Sequence, residues 1–269
     1  MPSNVISIVI LVFITLVVSL LMAFGYYTII KTTRKLSKNG LLDDEFFQED
    51  KKNGNKAVNI AISAVTLTLT SVLLFLCGVG LVYRVNDEQF IYRDQTAFVI
   101  SSNSMESFYN DEYEAKLVND LMAYKNIDEE SARNYIKDTE FETGDLLGFK
   151  TIGNDDNIDL YEVYGYRNKK GQIITHRLVA IEGDKYIFRG DNTMANDVTV
   201  SRDQILYHYS NMRIMGVGIF VLFFSSSFGL YSIFITVLVM VTSDIFKHRY
   251  EKIRKERLMY LGEHQHAYQ

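Results

Sequence analysis

Residues Val5–Ile30 read VISIVILVFITLVVSLLMAFGYYTII, a run of 26 positions without one charged side chain. A helix needs about 20 apolar residues to cross the hydrocarbon core of a bilayer, so this run is long enough to span one. Two more uncharged windows follow, 27 residues from Ala57 to Tyr83 and 30 from Ile214 to Ser243. A soluble domain has no way of hiding three such runs. The sequence therefore reads as a membrane protein with three transmembrane α-helices, at 5–30, 57–83 and 214–243. The leader Met1-Pro2-Ser3-Asn4 carries no basic residue, and no small-x-small cleavage site follows the first run. The first helix is thus expected to be retained rather than removed as a signal peptide.

Charge orients these spans. The segment 31–56 holds Lys31, Arg34, Lys35, Lys38, Lys51, Lys52 and Lys56, and the tail 244–269 holds Lys247, Arg249, Lys252, Arg254, Lys255 and Arg257. Basic short loops stay in the cytoplasm. Loop 31–56 and tail 244–269 are therefore expected inside a cell membrane, and segment 84–213 outside it. This outer segment, 130 residues long, is large enough for a domain with its own core. It carries 15 Lys/Arg against 24 Asp/Glu, a net charge of −9 that makes nucleic acid a poor partner. The expected partner on the other side of the balance is the lipid bilayer. The single cysteine, Cys77, lies in the second apolar run, which excludes disulfides and a cysteine metal site.

The external segment has mostly the periodicity of strands. Residues 96–101, 146–152, 160–166 and 173–181 are rich in β-formers, and Lys169-Lys170-Gly171 and Glu182-Gly183-Asp184 supply turn chemistry. Lys185–Arg189 is the return strand of a hairpin. One stretch, about 111–142, is instead polar and helical in spacing. Tyr113, Leu117, Leu121 and Tyr124 recur at intervals of three and four, and Asp128 is placed to cap a second helix with acids in its first turn. The expectation is a β-rich domain carrying a pair of inserted helices, read as a solvated insertion without a role.

Candidate chemistry is confined to a few residues. The outer segment has two histidines, His176 and His208, and histidine is the commonest general base near neutral pH. Ser101-Ser102-Asn103-Ser104-Met105 ends an apolar strand, where a serine hydroxyl can face a cleft. Ser102, two positions before Ser104 on an extended chain, points to the same side and could donate to an oxyanion. Further on come Gly144-Asp145, then Thr175-His176-Arg177, then Gly190-Asp191-Asn192, with Asp197 six residues after Asp191. With two external histidines and no external cysteine, no metal and no other cofactor is expected.

Taken in order, these four elements resemble the type I signal peptidases, more narrowly the endoplasmic-reticulum type also found in archaea and some Gram-positive bacteria. The resemblance covers about 97–110 and 144–207, most of the external segment. It implies a signal-peptidase-like catalytic domain with Ser104 as nucleophile, His176 as general base where the bacterial branch has lysine, and Asp197 as the acid that orients the imidazole. It also implies that Ser102 helps to form the oxyanion hole. Asp191 is the rival acid, although Gly190-Asp191-Asn192 also suits a tight turn. The implied function is a serine endopeptidase that removes N-terminal signal peptides from secreted or membrane preproteins, near the export machinery. Residues such as Phe98 and Ile100 are then expected to line pockets for small substrate side chains.

Three features depart from the family pattern. Ser107 stands where the family has proline, about forty residues rather than ten separate the serine motif from Gly144-Asp145, and two spans precede the domain instead of one. They motivate a second reading, a processing peptidase dedicated to a few surface proteins. A third reading is a non-catalytic membrane assembly protein that keeps the fold.

Overall fold

The computed structural model describes residues 3–38, 56–194 and 199–265. Asp197 and most of the basic segment 31–56, including Lys51 and Lys52, lie outside the described residues. Two compact units can be distinguished, one formed by residues 1–11 and 79–225 and the other by residues 12–78 and 226–269.

Three helices supply stretches long and apolar enough to cross a membrane: Val5–Arg34, Ala64–Val85 and Ser227–Arg257. They belong to α1 (Ser3–Lys38), α2 (Lys56–Val85) and α6 (Ser227–Gln265). Several of their hydroxyl groups bond to backbone carbonyls of the same helix, which suits an apolar surrounding. Thr28 donates to the Phe24 carbonyl at 2.9 Å and Thr236 to that of Ser232 at 2.7 Å. Ile14, Val18, Leu21, Ile233 and Val239 are buried in this unit, whereas Leu67, Phe75 and Phe228 are exposed apolar side chains. Such an apolar exterior is natural against lipid.

The third uncharged run differs from its reading as one span over 214–243. It holds the last residue of a strand, a short helix α5 (Gly218–Ser225) and the start of α6. The serine triplet Ser225-Ser226-Ser227 makes the break. Ser225 Oγ turns back on the Leu222 carbonyl at 3.3 Å, and Ser226 Oγ accepts from the Gly229 N–H at 3.0 Å, capping α6. Small polar side chains that bond their own backbone compete with helix continuation, which a count of charges does not detect.

The other unit is built on a seven-stranded antiparallel sheet in the order β1-β2-β3-β7-β4-β5-β6. Its strands are β1 (Phe90–Tyr92), β2 (Gln95–Val99), β3 (Leu146–Thr151), β4 (Val163–Arg167), β5 (Ile173–Glu182), β6 (Lys185–Arg189) and β7 (Ile205–Ile214). Side chains alternate across the strands and fill two cores. Phe98, Ile100, Met105, Phe141, Leu147, Phe149 and Tyr209 form one, with Phe98 stacked on Phe149 at 4.1 Å. Tyr164, Tyr166, Leu178, Phe188 and Ile205 form the other. Phe98 and Ile100 are thus core side chains, 6% and 7% exposed, and do not line a cleft. Phe98 lies opposite Leu147 of β3, and burying these apolar side chains contributes more than exposing them beside a site.

Two inserted helices, α3 (Asp111–Lys125) and α4 (Glu129–Asp138), lie between β2 and β3. Asp128 caps α4 by accepting from the Ser131 N–H at 2.7 Å, and Asn110 caps α3 through the Tyr113 N–H at 2.8 Å. Leu117, Val118, Leu121, Ala132 and Ile136 make a third cluster between them.

Candidate active site

The loop Ser101–Ser104 leaves the sheet at a defined point. Ile100 closes the pairing with the turn before β3, its N–H donating to the Asp145 carbonyl at 2.9 Å and its carbonyl accepting from the Gly144 N–H at 2.8 Å. Gly144 has a φ of +93°, a conformation open to glycine and strained for other residues, and a Cβ there would stand 2.6 Å from Ser7 Oγ. Asp145 is fully buried and ties the start of β3 to the end of the adjacent β7, binding Arg213 Nε at 2.7 Å and the Gly216 N–H at 3.0 Å. Beyond Ile100 the chain turns out of the sheet and carries Ser101–Ser104 with it.

His176 sits in the middle of β5, opposite Tyr164 of β4, and is 8% exposed. Its Nε2 lies 2.9 Å from Ser104 Oγ, across 72 residues of sequence. Ser102 Oγ is 3.1 Å from Ser104 Oγ. The three side chains singled out in sequence as nucleophile, base and oxyanion donor therefore meet at one place. A serine hydroxyl is activated when a neighbouring base can take its proton, and the separation of Oγ and Nε2 is that of a direct hydrogen bond.

Gly190-Asp191-Asn192 is more than a turn. The Asn192 N–H donates to the Ser104 carbonyl at 2.8 Å, and its Nδ2 donates to the Asn103 carbonyl at 3.1 Å. The Asp191 carbonyl accepts from the Tyr109 N–H at 3.0 Å. The Ser101–Ser104 loop is thus clamped on both sides of Ser104. Gly190 is where the loop and His176 come closest. A Cβ built there would be 2.8 Å from the Ser104 carbonyl oxygen and 2.9 Å from His176 Nε2. Only a residue without a side chain lets serine and histidine touch at this point.

The rival acid is taken up elsewhere. Asp191 and Arg177 are both fully buried, and the guanidinium binds the carboxylate in two places, Nε to Oδ1 at 3.0 Å and Nη2 to Oδ2 at 2.6 Å. Arg177 also donates to Thr139 Oγ1 at 2.9 Å and to the Tyr161 carbonyl at 3.0 Å. Burial works against the charge, but the adjacent Asp191 carboxylate and its hydrogen bonds outweigh this and raise the Arg177 pKa, so the side chain stays ionised. Successive residues of a strand face opposite ways, so Asp191 meets Arg177 while Gly190 meets His176.

This network also reaches the inserted helices. Thr139, which follows α4, is one of the ligands of Arg177, and Arg189 lies over the Tyr113 ring of α3 at 3.7 Å. Burial, followed by the charge of Asp191, pushes the Tyr113 phenol up to about 12. On the neighbouring edge, Glu162 accepts from Lys125 Nζ of α3 and from the Tyr135 hydroxyl of α4, each at 2.5 Å. Burial alone would raise the Glu162 pKa, yet the hydrogen bonds it accepts hold it at about 2. The insertion, read from sequence as solvated and idle, is therefore part of the scaffold of the site. Its role was missed because Arg177, Thr139 and Glu162 are far apart in sequence. An arginine inside the apolar run 173–181 was the available signal, since a buried cation needs partners.

His208, the second external histidine, stacks on Tyr164 at 4.8 Å and stands 3.6 Å from Glu162, well apart in its partners from Ser104. A cavity of about 630 Å³ lies beside the end of α4 and β7, lined in part by Glu106, Asp138, Glu140 and Arg213. It contains neither Ser104 nor His176. Among the described residues no group of three or more His, Cys, Asp or Glu side chains is arranged to hold a metal ion. No protein-family model, curated protein or solved structure matches the chain.

Proposed function

We propose that the chain is a membrane-anchored serine endopeptidase of signal-peptidase type, cleaving N-terminal signal peptides from preproteins on the extracytoplasmic side of the cell membrane. The observation that carries this reading is the 2.9 Å approach of Ser104 Oγ to His176 Nε2, held by a clamp with no slack for a Cβ at Gly190. In the proposed reaction Ser104 Oγ attacks the scissile carbonyl and its proton passes to His176 Nε2. The Ser102 hydroxyl, released from Ser104, donates to the oxyanion of the tetrahedral intermediate. His176 then hands the proton to the departing amine, and the C–N bond breaks to leave an acyl-Ser104. Water, deprotonated by the same imidazole, hydrolyses the ester and restores the free serine.

Asp197 keeps its proposed place as the acid behind His176, and the engagement of Asp191 by Arg177 favours that assignment. The location supports the substrate class. A signal peptide carries its own apolar helix, and the uncharged runs on both sides of segment 84–213 tether the serine to the bilayer where such a helix ends. In this reading the insertion braces the site, since Thr139, which follows α4, is a ligand of Arg177.

The test is cleavage of preproteins by the purified full-length protein. Ser104→Ala and His176→Ala should each lower kcat at least about 10³-fold without unfolding the protein. A Ser104→Ala protein that cleaves at the wild-type rate sinks the serine-peptidase reading and leaves the non-catalytic one. Activity against many unrelated preproteins would exclude the specialist.

A further inference from the structure

The turn that follows β6 carries more than Gly190. Its ends are closed on one another, for the Thr193 N–H donates to the Gly190 carbonyl at 3.1 Å and Thr193 Oγ1 to the same oxygen at 2.7 Å. Between them Asn192 reaches the Ser101–Ser104 loop, its N–H 2.8 Å from the Ser104 carbonyl oxygen. The position of Ser104 beside His176 therefore depends on where this turn is held. Arg189, the last residue of β6, ties it back to the strand. Its Nε and Nη2 both donate to the Thr193 carbonyl, at 3.2 and 2.8 Å.

The guanidinium is itself fixed by a ring from the insertion. Tyr113 stands in the first turn of α3, and the Arg189 guanidinium carbon lies 3.7 Å from the centre of its ring. At that distance the negative face of the ring attracts the cation. The contact occupies a flat face of the guanidinium and leaves its in-plane N–H groups for Thr193. The same ring lies 5.7 Å from that of Phe108, and the Tyr109 N–H donates to the Asp191 carbonyl at 3.0 Å. The chain leaving Ser104 and the turn that grips it thus meet at one aromatic side chain. Tyr113 Oη is buried and has no hydrogen-bond partner among the described residues. A hydroxyl left in that state is a cost, so what Tyr113 contributes here is the face of its ring.

We infer that Tyr113 is a positioning residue for the proposed reaction: its ring holds Arg189 on the Thr193 carbonyl and so fixes the turn through which Asn192 aligns Ser104 with His176. The inference rests on the peptidase reading and gives the inserted helices a task within it. Tyr113 acts through Arg189 and not on the reacting atoms. Without the ring, Arg189 regains the rotamer freedom of a long side chain and the turn loosens. Ser104 then spends less time within reach of His176, which lowers the rate of the chemical step and leaves substrate binding as it was.

The experiment compares the full-length wild type with Tyr113→Phe, Tyr113→Leu and Arg189→Met, by steady-state cleavage of one preprotein and by amide exchange at Asn192. Phenylalanine keeps the ring face, leucine keeps apolar bulk without it, and Arg189→Met removes the cation while Tyr113 stays. Tyr113→Phe should match the wild type within about twofold in kcat and KM. Tyr113→Leu and Arg189→Met should each lower kcat about tenfold with KM unchanged, and speed exchange at Asn192 at least about fivefold. The double variant Tyr113→Leu/Arg189→Met should be no slower than either single one, because both remove the same contact. A wild-type kcat in Tyr113→Leu overturns the inference, as does a loss carried by KM alone. A Tyr113→Phe protein as slow as Tyr113→Leu overturns it too, since the hydroxyl would then be the active part. If Tyr113→Leu does not fold, Arg189→Met decides the question by the same readouts. Absence of cleavage by the wild type is a different result, the failure of the peptidase reading, and exchange at Asn192 then still decides whether the ring holds the turn.

Discussion

At the scale of single residues, the site is defined as much by what is missing as by what reacts. Gly190 contributes no atom to the proposed chemistry, yet a methyl group there would fall within 3 Å of both the Ser104 carbonyl and His176 Nε2. Gly190→Ala is expected to separate serine from histidine by a fraction of an ångström to an ångström and to cost about 10²-fold in kcat with little change in KM. Steady-state kinetics on a preprotein would show it, and an unchanged kcat would remove Gly190 from the site. Arg177 and Asp191 are a different case, because both are fully buried and each is the other's counter-charge. Asp191→Ala leaves an unpaired cation in the interior and is expected to destabilise the protein by about 3–5 kcal/mol. Thermal unfolding of the purified protein measures that loss, and a variant as stable as the wild type would mean that the pair is dispensable.

Elements show which parts of the sequence pattern survive folding. The caps Asp128 and Asn110 and the face Leu117/Leu121 are local features, and helices α3 and α4 form where they were expected. β7 was not anticipated, although Ile205, Tyr207 and Tyr209 alternate inward along it. Ser210-Asn211 and Arg213 break the apolar pattern, and their pairing with β3 supplies what the pattern lacks. Docking of α3 and α4 runs through Glu162, whose carboxyl is held at about 2 against an ordinary 4.5. A depressed acid stabilises the folded state above the ordinary value, and that contribution is lost as pH falls through the folded value. The stability difference between wild type and Glu162→Gln should therefore be full above about pH 5 and shrink toward pH 2. Melting temperatures recorded across that range test it, and a difference independent of pH would place the stabilisation elsewhere.

For the whole molecule the decisive prediction concerns sidedness. The chain has one cysteine, Cys77, so a Cys77→Ser background can report single introduced thiols. In intact cells Lys170→Cys should react with a membrane-impermeant maleimide, whereas Lys252→Cys should react only after permeabilisation. The reverse pattern would put the Ser104–His176 pair on the cytoplasmic side, away from exported substrates.

The amino-acid sequence by itself determined that three helices are apolar enough to cross a bilayer, that a β-rich unit lies between the second and third, and which serines and histidine to watch. These depend on hydropathy, on a strand period of two and on a few short motifs, all of them readable within some thirty residues. Tertiary structure alone decided that the third run breaks at Ser226, that Asp191 belongs to Arg177, and that the inserted helices brace the site. Each of those outcomes turns on a hydrogen bond or ion pair whose partners are settled by the packing around them, and packing is not a property of any one segment.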